Sequence, residues 1–396
     1  MTEKKMDSRI DYGIILSVML LALIGMAAIY MAVDNDTSAS SSPMHALIMQ
    51  GVWYVIGGLG IFLVMQFDSE QLWRIAPILY GLGIFLLVVV LFAYDRSVFA
   101  STGAKSWFSF HSFTFQPSEV MKPAYILMLG RVVTTHNTEY PHTTANDWHL
   151  IGTMLLWTLP VLVLMKLQND FGTMLVFMAI FAGVVLVSGT TWKIIAPIAA
   201  AAAAIGGSAL ALVTTNWGRT ILGHLGFKAY QFARIDSWMN PSGATDGDSY
   251  QLWQSMKAIG SGQLTGRGFN NIKVTVPVRE SDMIFSTIGE TFGFIGCAVV
   301  IMLYFLLIYQ MIRVTFDTKN EFYAYIATGV IMMILFHVFE NIGMNIGLLP
   351  LTGIPLPFIS QGGSFLLANM LSVGMVLSMR FHYQSYMFSR DTEDFQ

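Results

Sequence analysis

The sequence predicts an all-α, polytopic membrane protein of about ten transmembrane helices, forming one integral domain over residues 1–396 with a large outer loop at 216–282 between helices 7 and 8. Two observations carry that expectation. Hydrophobic residues make up 55% of the chain and charged residues only 11%, with a mean hydropathy of +0.60. A bilayer core about 30 Å thick takes about 20 helical residues, and apolar runs of that size recur from end to end.

The first run, Asp11–Val33, follows Lys4, Lys5 and Arg9 and lacks a small-residue cleavage site, so it is expected to stay as a span. Met44–Met65 follows a loop holding Asp34 and Asp36 but no Lys or Arg, and Gln71–Ala93 begins beside Arg74. Pro117–Val133 opens on a proline suited to a first helical turn. Leu150–Lys166 and Asp170–Gly189 are joined by a tight turn, where Asp170 is placed to cap the second helix. Trp192–Thr215 carries consecutive alanines from Ala199 to Ala204, then Gly206 and Gly207; such small residues allow close packing but offer little bulk to fix a helix in place. Met283–Val314, Phe322–Gly347 and Gly362–Arg380 complete the series.

Alternating these spans puts Arg74, Arg131, Lys193, Arg313, Lys319, Arg380 and Arg390 on the side of the N-terminal Lys4, Lys5 and Arg9. The positive-inside rule makes that side cytoplasmic, so both termini are expected inside. Cys297 is the only cysteine and lies within a span, which excludes a disulfide framework and a cysteine-based zinc site. No basic stripe interleaved with aromatics appears, so nucleic acid is not an expected partner. Nor are there inverted halves of the kind many transporters show.

Loop 216–282 is the expected functional surface because of its length. Its basic residues are Arg219, Lys228, Arg234, Lys257, Arg267, Lys273 and Arg279, against Asp236, Asp246, Asp248, Glu280 and Asp282. A basic surface beside the bilayer suits a phosphate-bearing lipid, although long translocated loops also escape the charge rule. Its glycines, from Gly260 to Gly268, suit either close approach to a ligand or turns between short amphipathic helices.

Several polar groups stand where apolar ones are expected. Asp282 lies at the outer mouth of the Met283–Val314 run, and an ionisable group near membrane depth is by default a functional-site candidate. Glu119 and Lys122 are three apart on one helix and can pair, either within a site or as a lock between helices. His337, Glu340, Asn341 and Asn345 form a polar stripe whose ordinary use is interhelical hydrogen bonding. Glu290, eight residues beyond Asp282, reads as structural or as a support behind the site residues. Prolines 350, 355 and 357 exclude a helix from the segment before Gly362, so irregular backbone there must be buried in protein or line a cavity.

Taken in order, these motifs resemble the SEDS family of bacterial peptidoglycan polymerases, named for shape, elongation, division and sporulation. The matching pieces are Gln116-Pro117-Ser118-Glu119 with Lys122, Gln168-x-Asp170-x-Gly172-Thr173, Tyr230-Gln231 with Arg234, Asp282 in its Ser-Asp-Met-Ile-Phe segment, and Leu349 to Ser364. The likeness is closer to the elongation branch than to the division branch. The chain departs from the family's habit at Ser106, Asn169, Glu280-Ser281 and Gln361.

The resemblance implies ten helices, lipid II as substrate, a glycosyltransferase reaction on the outer face of the bacterial plasma membrane, and a class B penicillin-binding protein as partner. Joining disaccharide units needs a base for the attacking sugar hydroxyl and cations for the departing diphosphate. On that expectation Asp282 is the base, Lys122, Lys105 and Arg234 contact the diphosphate, and Glu119 orients Lys122. Asp170, Gln116 and Ser360 are the further candidate substrate contacts. A divalent cation, Mg or Mn, would also neutralise a diphosphate, although no dedicated cage is visible; no organic cofactor is expected. Two other readings use the same residues: a lipid II flippase, and a non-catalytic scaffold for the transpeptidase.

Overall fold

The computed structural model describes residues 10–35, 42–110, 113–224, 229–242, 248–269, 271–318 and 320–390. Among the described residues eight helices are long and apolar enough to cross a membrane: α1 (Tyr12–Asp34), α2 (Pro43–Val64), α3 (Ser69–Ala93), α6 (Thr144–Gln168), α8 (Trp192–Val213), α12 (Ile284–Thr318), α13 (Glu321–Asn345) and α14 (Gly363–Arg390, apolar through Tyr383). Two more complete the expected set. Helix α7 (Phe171–Val187) is apolar but short. Helix α5 (Pro117–Glu139) is weakly hydrophobic because it carries Glu119, Lys122, Arg131 and His136. It tolerates them by lying inside the bundle against α3, α13 and α14, with most of its residues buried. It also runs past the expected end at Val133, through Asn137 and Glu139.

Capping accounts for several helix starts. Asp11, Ser42, Asp68, Asp170 and Asn320 each accept a first-turn amide at the start of α1, α2, α3, α7 and α13. Between α3 and α5 lie a short helix, α4 (Arg96–Thr102), and a two-stranded antiparallel hairpin, β1 (Phe108–Phe110) with β2 (Phe113–Phe115). This hairpin is the one local departure from the all-α expectation among the described residues.

The long loop folds into α9 (Asn216–His224), α10 (Ala229–Met239) and α11 (Asp248–Ser261). Helix α11 packs along α12 and leads into the glycine-rich turn. That turn enters α12 where the helix is broken at Gly293, whose φ of 64° and ψ of −160° are not helical. Arg267 and Gly268 amides donate to the carbonyls of Glu290 and Thr291, while the Phe294 and Ile295 amides donate to Gln263 and Leu264. The loop thereby satisfies groups that the break exposes, as buried irregular backbone requires. A Cβ on Gly266, which has φ +81°, would sit 2.0 Å from the Thr291 carbonyl oxygen. These glycines therefore serve backbone-to-backbone contact with α12. Gly293 is eleven residues past Asp282, so the turn reaches on the order of 15 Å down the helix at 1.5 Å per residue.

Candidate functional site

One cluster forms where α5 begins. Pro117 occupies the first turn, and Glu119 follows it where a carboxylate complements the helix dipole. One turn on, Lys122 Nζ lies 2.8 Å from Glu119 Oε2, with side-chain exposures of only 2% and 6%. The same ammonium is 3.1 Å from His337 Nε2 on α13 and 5.5 Å from the Phe365 ring centre on α14. Three helices thus meet on one buried cation. Lys122, expected at a diphosphate, has its partners inside the protein.

Gln116 and Asp170 join this cluster. Gln116 Nε2 donates to Asp170 Oδ2 at 2.9 Å, and Asp170 Oδ1 accepts the Thr173 amide at 3.1 Å, capping α7. The Lys105 amide donates to the Gln168 carbonyl at 2.8 Å, which docks the second outer loop onto the α6–α7 turn. Partly exposed, Lys105 lies over the Tyr94 and Phe99 rings at 5.2 and 5.7 Å. Lys105, Gln116, Glu119, Lys122 and Asp170 are thereby linked through one set of loop and helix-start contacts. Arg234 belongs to α10 by its backbone, but its side chain lies outside the described residues.

The second cluster holds Asp282, two residues before α12. Asn341 Nδ2 donates to the Asp282 carbonyl and to the Ile354 carbonyl, both at 2.8 Å, and Asn345 Nδ2 donates to Asp282 at 3.1 Å. From the other side, Ser360 Oγ donates to the Ser281 carbonyl at 2.7 Å and accepts the Leu356 amide at 2.8 Å. The Gln361 amide reaches Glu280 at 3.0 Å. Ser360 was expected to touch substrate; buried, with both functions of its hydroxyl committed, it instead holds the backbone beside Asp282. The carboxyl faces Gly353, where a Cβ would come within 3.2 Å of Oδ2. Although Asp282 is partly exposed, burial pushes its carboxyl up to about 7, against a hydrogen bond from Ser281 and with help from the Glu280 charge.

Beneath Asp282, Arg279 is anchored through Nη2 to Glu290 Oε2 at 2.6 Å, Nε to Thr287 Oγ1 at 2.8 Å and Nη1 to the Val274 carbonyl at 2.7 Å. Glu290 Oε1 accepts the Lys273 amide at 2.8 Å and the Val274 amide at 3.2 Å. Glu290 is structural, as its depth suggested. The end of the proline segment, Leu356 to Ser360, is buried and its carbonyls are answered by side chains: Tyr54 donates to Phe358 at 2.5 Å, Tyr304 to Pro357, and Gln50 to Ser360 at 3.3 Å.

Sequence reasoning treated His337, Asn341 and Asn345 as a generic polar stripe. The structure divides their labour, with His337 on the Lys122 cation and the two asparagines on the Asp282 backbone. His337 and Asn341 are one turn apart, about 6 Å along α13. Among the described residues no three His, Cys, Asp or Glu side chains converge as a metal site. A divalent cation therefore finds no three-residue protein cage among them.

The profile of the FtsW/RodA/SpoVE cell cycle protein family matches residues 12–385. The peptidoglycan glycosyltransferase MrdB of Escherichia coli K12 is 32% identical over 82% of this chain and 83% of its own. The stage V sporulation protein E of Bacillus subtilis is 29% identical over 96% and 98%. A probable peptidoglycan glycosyltransferase FtsW from Alkalilimnicola ehrlichii is 28% identical over 95% and 90%. A chain from a peptidoglycan synthase complex, solved for its coordination of polymerization and crosslinking, superposes with a TM-score of 0.73 at 26% identity, over 95% of this chain and 98% of its own. The Thermus thermophilus rod shape determining protein RodA gives 0.65 at 25% identity over 96% and 99%. Fold, motif order and a profile match across nearly the whole length agree: this integral membrane protein belongs to the FtsW/RodA/SpoVE family, the group its sequence motifs resemble.

Proposed function

We infer that the chain is a peptidoglycan glycosyltransferase that polymerises lipid II into glycan strands, with Asp282 as its general base. Relatives named for that activity support the reaction class. The observation that carries the site assignment is the Asp282 carboxyl, its own carbonyl held by Asn341 and that of Ser281 by Ser360, with its pKa raised by burial to about 7. A base works best with a pKa near the operating pH.

The sugar hydroxyl of the acceptor gives its proton to Asp282 as it attacks the anomeric carbon of the donor. The bond from that carbon to the diphosphate breaks, a glycosidic bond forms, and the lipid diphosphate leaves. Lys122, Lys105 and Arg234 are the proposed cations for the leaving group, with Glu119 orienting Lys122. By the positive-inside rule the reaction faces outward and both termini are cytoplasmic. The synthase complex among the structural relatives supports a class B penicillin-binding protein as partner, and the RodA likeness supports a role in elongation and shape. A flippase would place its key carboxylate near the bilayer midplane, whereas Asp282 precedes the first turn of α12.

The test is polymer formation from purified lipid II by the protein with its partner. Asp282→Asn keeps the shape and removes the basicity, so it should lose on the order of 100-fold or more while still binding lipid II. Activity within about threefold of wild type, far short of a missing base, overturns the assignment and returns the flippase or scaffold reading.

A further inference from the structure

We propose that His337 is a positioning residue for the Lys122 cation: its neutral imidazole holds the ammonium donor that a phosphate oxygen of the lipid-linked substrate takes over on binding. The proposal rests on the glycosyltransferase reading above and adds to it the state of the cation before substrate arrives.

The geometry fixes the tautomer. His337 Nδ1 is 2.6 Å from the Met333 carbonyl oxygen, a group that only accepts, so Nδ1 carries the hydrogen. Nε2 is 3.1 Å from Lys122 Nζ, a group that only donates, so Nε2 carries the lone pair. The ring is therefore neutral, and it is buried.

Lys122 has three N–H donors. His337 Nε2 takes one at 3.1 Å, the Glu119 carboxylate pairs with the ammonium at 2.8 Å, and the Phe365 ring centre lies 5.5 Å away. Lys122 is buried among these partners, so a phosphate that reaches the ammonium competes with them. Glu119 is the harder to displace: it carries the opposite charge, lies nearer at 2.8 Å, and belongs to the same helix. His337 offers a neutral acceptor on another helix, and Phe365, edge-on to it at 5.2 Å, offers only a ring face. The exchange therefore takes place on the α13–α14 side of the cation. That is also the side of Asn341, one turn along α13, which holds the Asp282 backbone. A diphosphate received there lies toward the base.

Three variants separate this role from a packing role. His337→Leu removes the acceptor; His337→Gln keeps one; Lys122→Met removes the cation that His337 is argued to act through. His337→Met serves in place of His337→Leu where the latter does not yield folded protein. Affinity for lipid II is measured in an Asp282→Asn background, where no turnover is needed, and kinetics in the otherwise unchanged protein with its partner. His337→Leu leaves the donor unpaired only in the free protein, since the phosphate pairs it in the bound one, so binding should tighten and KM fall about tenfold, with kcat within about threefold. His337→Gln should stay within about threefold of its parent on both measures, and in a Lys122→Met background His337→Leu should have no further effect. Unchanged or weakened binding in His337→Leu, equal effects in the Leu and Gln variants, or an undiminished effect without Lys122 overturns the proposal. Failure of the glycosyltransferase reading shows elsewhere, as equal turnover with and without the Asp282 carboxylate, because the binding arms do not depend on Asp282 acting as a base.

Discussion

Replacing Glu290 by Ala perturbs the anchor of the Asp282 loop without touching Asp282. Glu290 is fully buried and answers Arg279 Nη2 at 2.6 Å, the Lys273 amide at 2.8 Å and the Val274 amide at 3.2 Å. Its removal leaves a buried guanidinium without its counter-charge, which costs about 3–5 kcal/mol. Burial lowers the Arg279 pKa and Glu290 holds it up, the signs expected of a desolvated cation beside its counter-charge. Replacing both charges is a different perturbation. Arg279→Met with Glu290→Leu removes the unpaired charge but leaves the Lys273 and Val274 amides and the Val274 carbonyl unanswered, so it should recover about half of the loss. Equilibrium unfolding in detergent micelles reads both values, and polymerisation should fall with the single change because Arg279 lies three residues before Asp282. A Glu290→Ala loss below about 1 kcal/mol, the range of solvent-screened pairs, would refute the claim that this network is dry and holds the site.

Three further outcomes follow from the same geometry. A base acts in its deprotonated form, so kcat/KM should be present above pH 7 and fall as pH drops through about 7; a half-point near the ordinary carboxylate value of about 4 removes the desolvated base. Ser360→Ala should lower kcat by about tenfold with little change in KM, since Ser360 holds Ser281 and not substrate, and the reverse pattern would restore it as a substrate contact. Gly266→Val, which drives a Cβ against the Thr291 carbonyl at a positive φ, should destabilise the fold by about 3 kcal/mol, and an unfolding midpoint unchanged from wild type would show that the turn is not seated in α12.

The helices were legible because hydrocarbon demands long apolar runs, and α5 was found through Pro117 and its neighbours even though its own hydropathy is weak. Its full length was not visible, since the residues beyond Val133 are polar and are accommodated by burial against other helices. The Glu119–Lys122 pair could be read from spacing alone, because i, i+3 contacts are local. The third partner, His337, lies 215 residues from Lys122 and only the fold brings it there. Asp282 was legible as a carboxylate at a helix mouth, while its support by Asn341, Asn345 and Ser360 was not, because side-chain to backbone bonds across helices leave no periodic trace. The break in α12 escaped for a similar reason. Gly293 within an apolar run looks like any tolerated helical glycine until a second strand of backbone is placed against it.

How the site keeps its geometry follows from which elements hold it. Asp282 and Lys122 stand on different elements, one ahead of α12 and one on α5, and neither element alone fixes their relation. Helix α13 touches both, with His337 on the cation and Asn341 and Asn345 on the backbone of the base. A rigid helix transmits spacing better than a loop, so residues one and two turns apart define how far cation and base stand from each other. The proline segment then closes the assembly from above, since Ser360 and Gln361 bind the Ser281 and Glu280 carbonyls while Ile354 is tied back to Asn341. Every tie on Asp282 is thus to its backbone or its neighbours' backbone. The carboxyl itself, partly exposed and beside one flanking hydroxyl, stays uncommitted to these backbone ties, the arrangement that lets a held residue still take a proton from an arriving sugar.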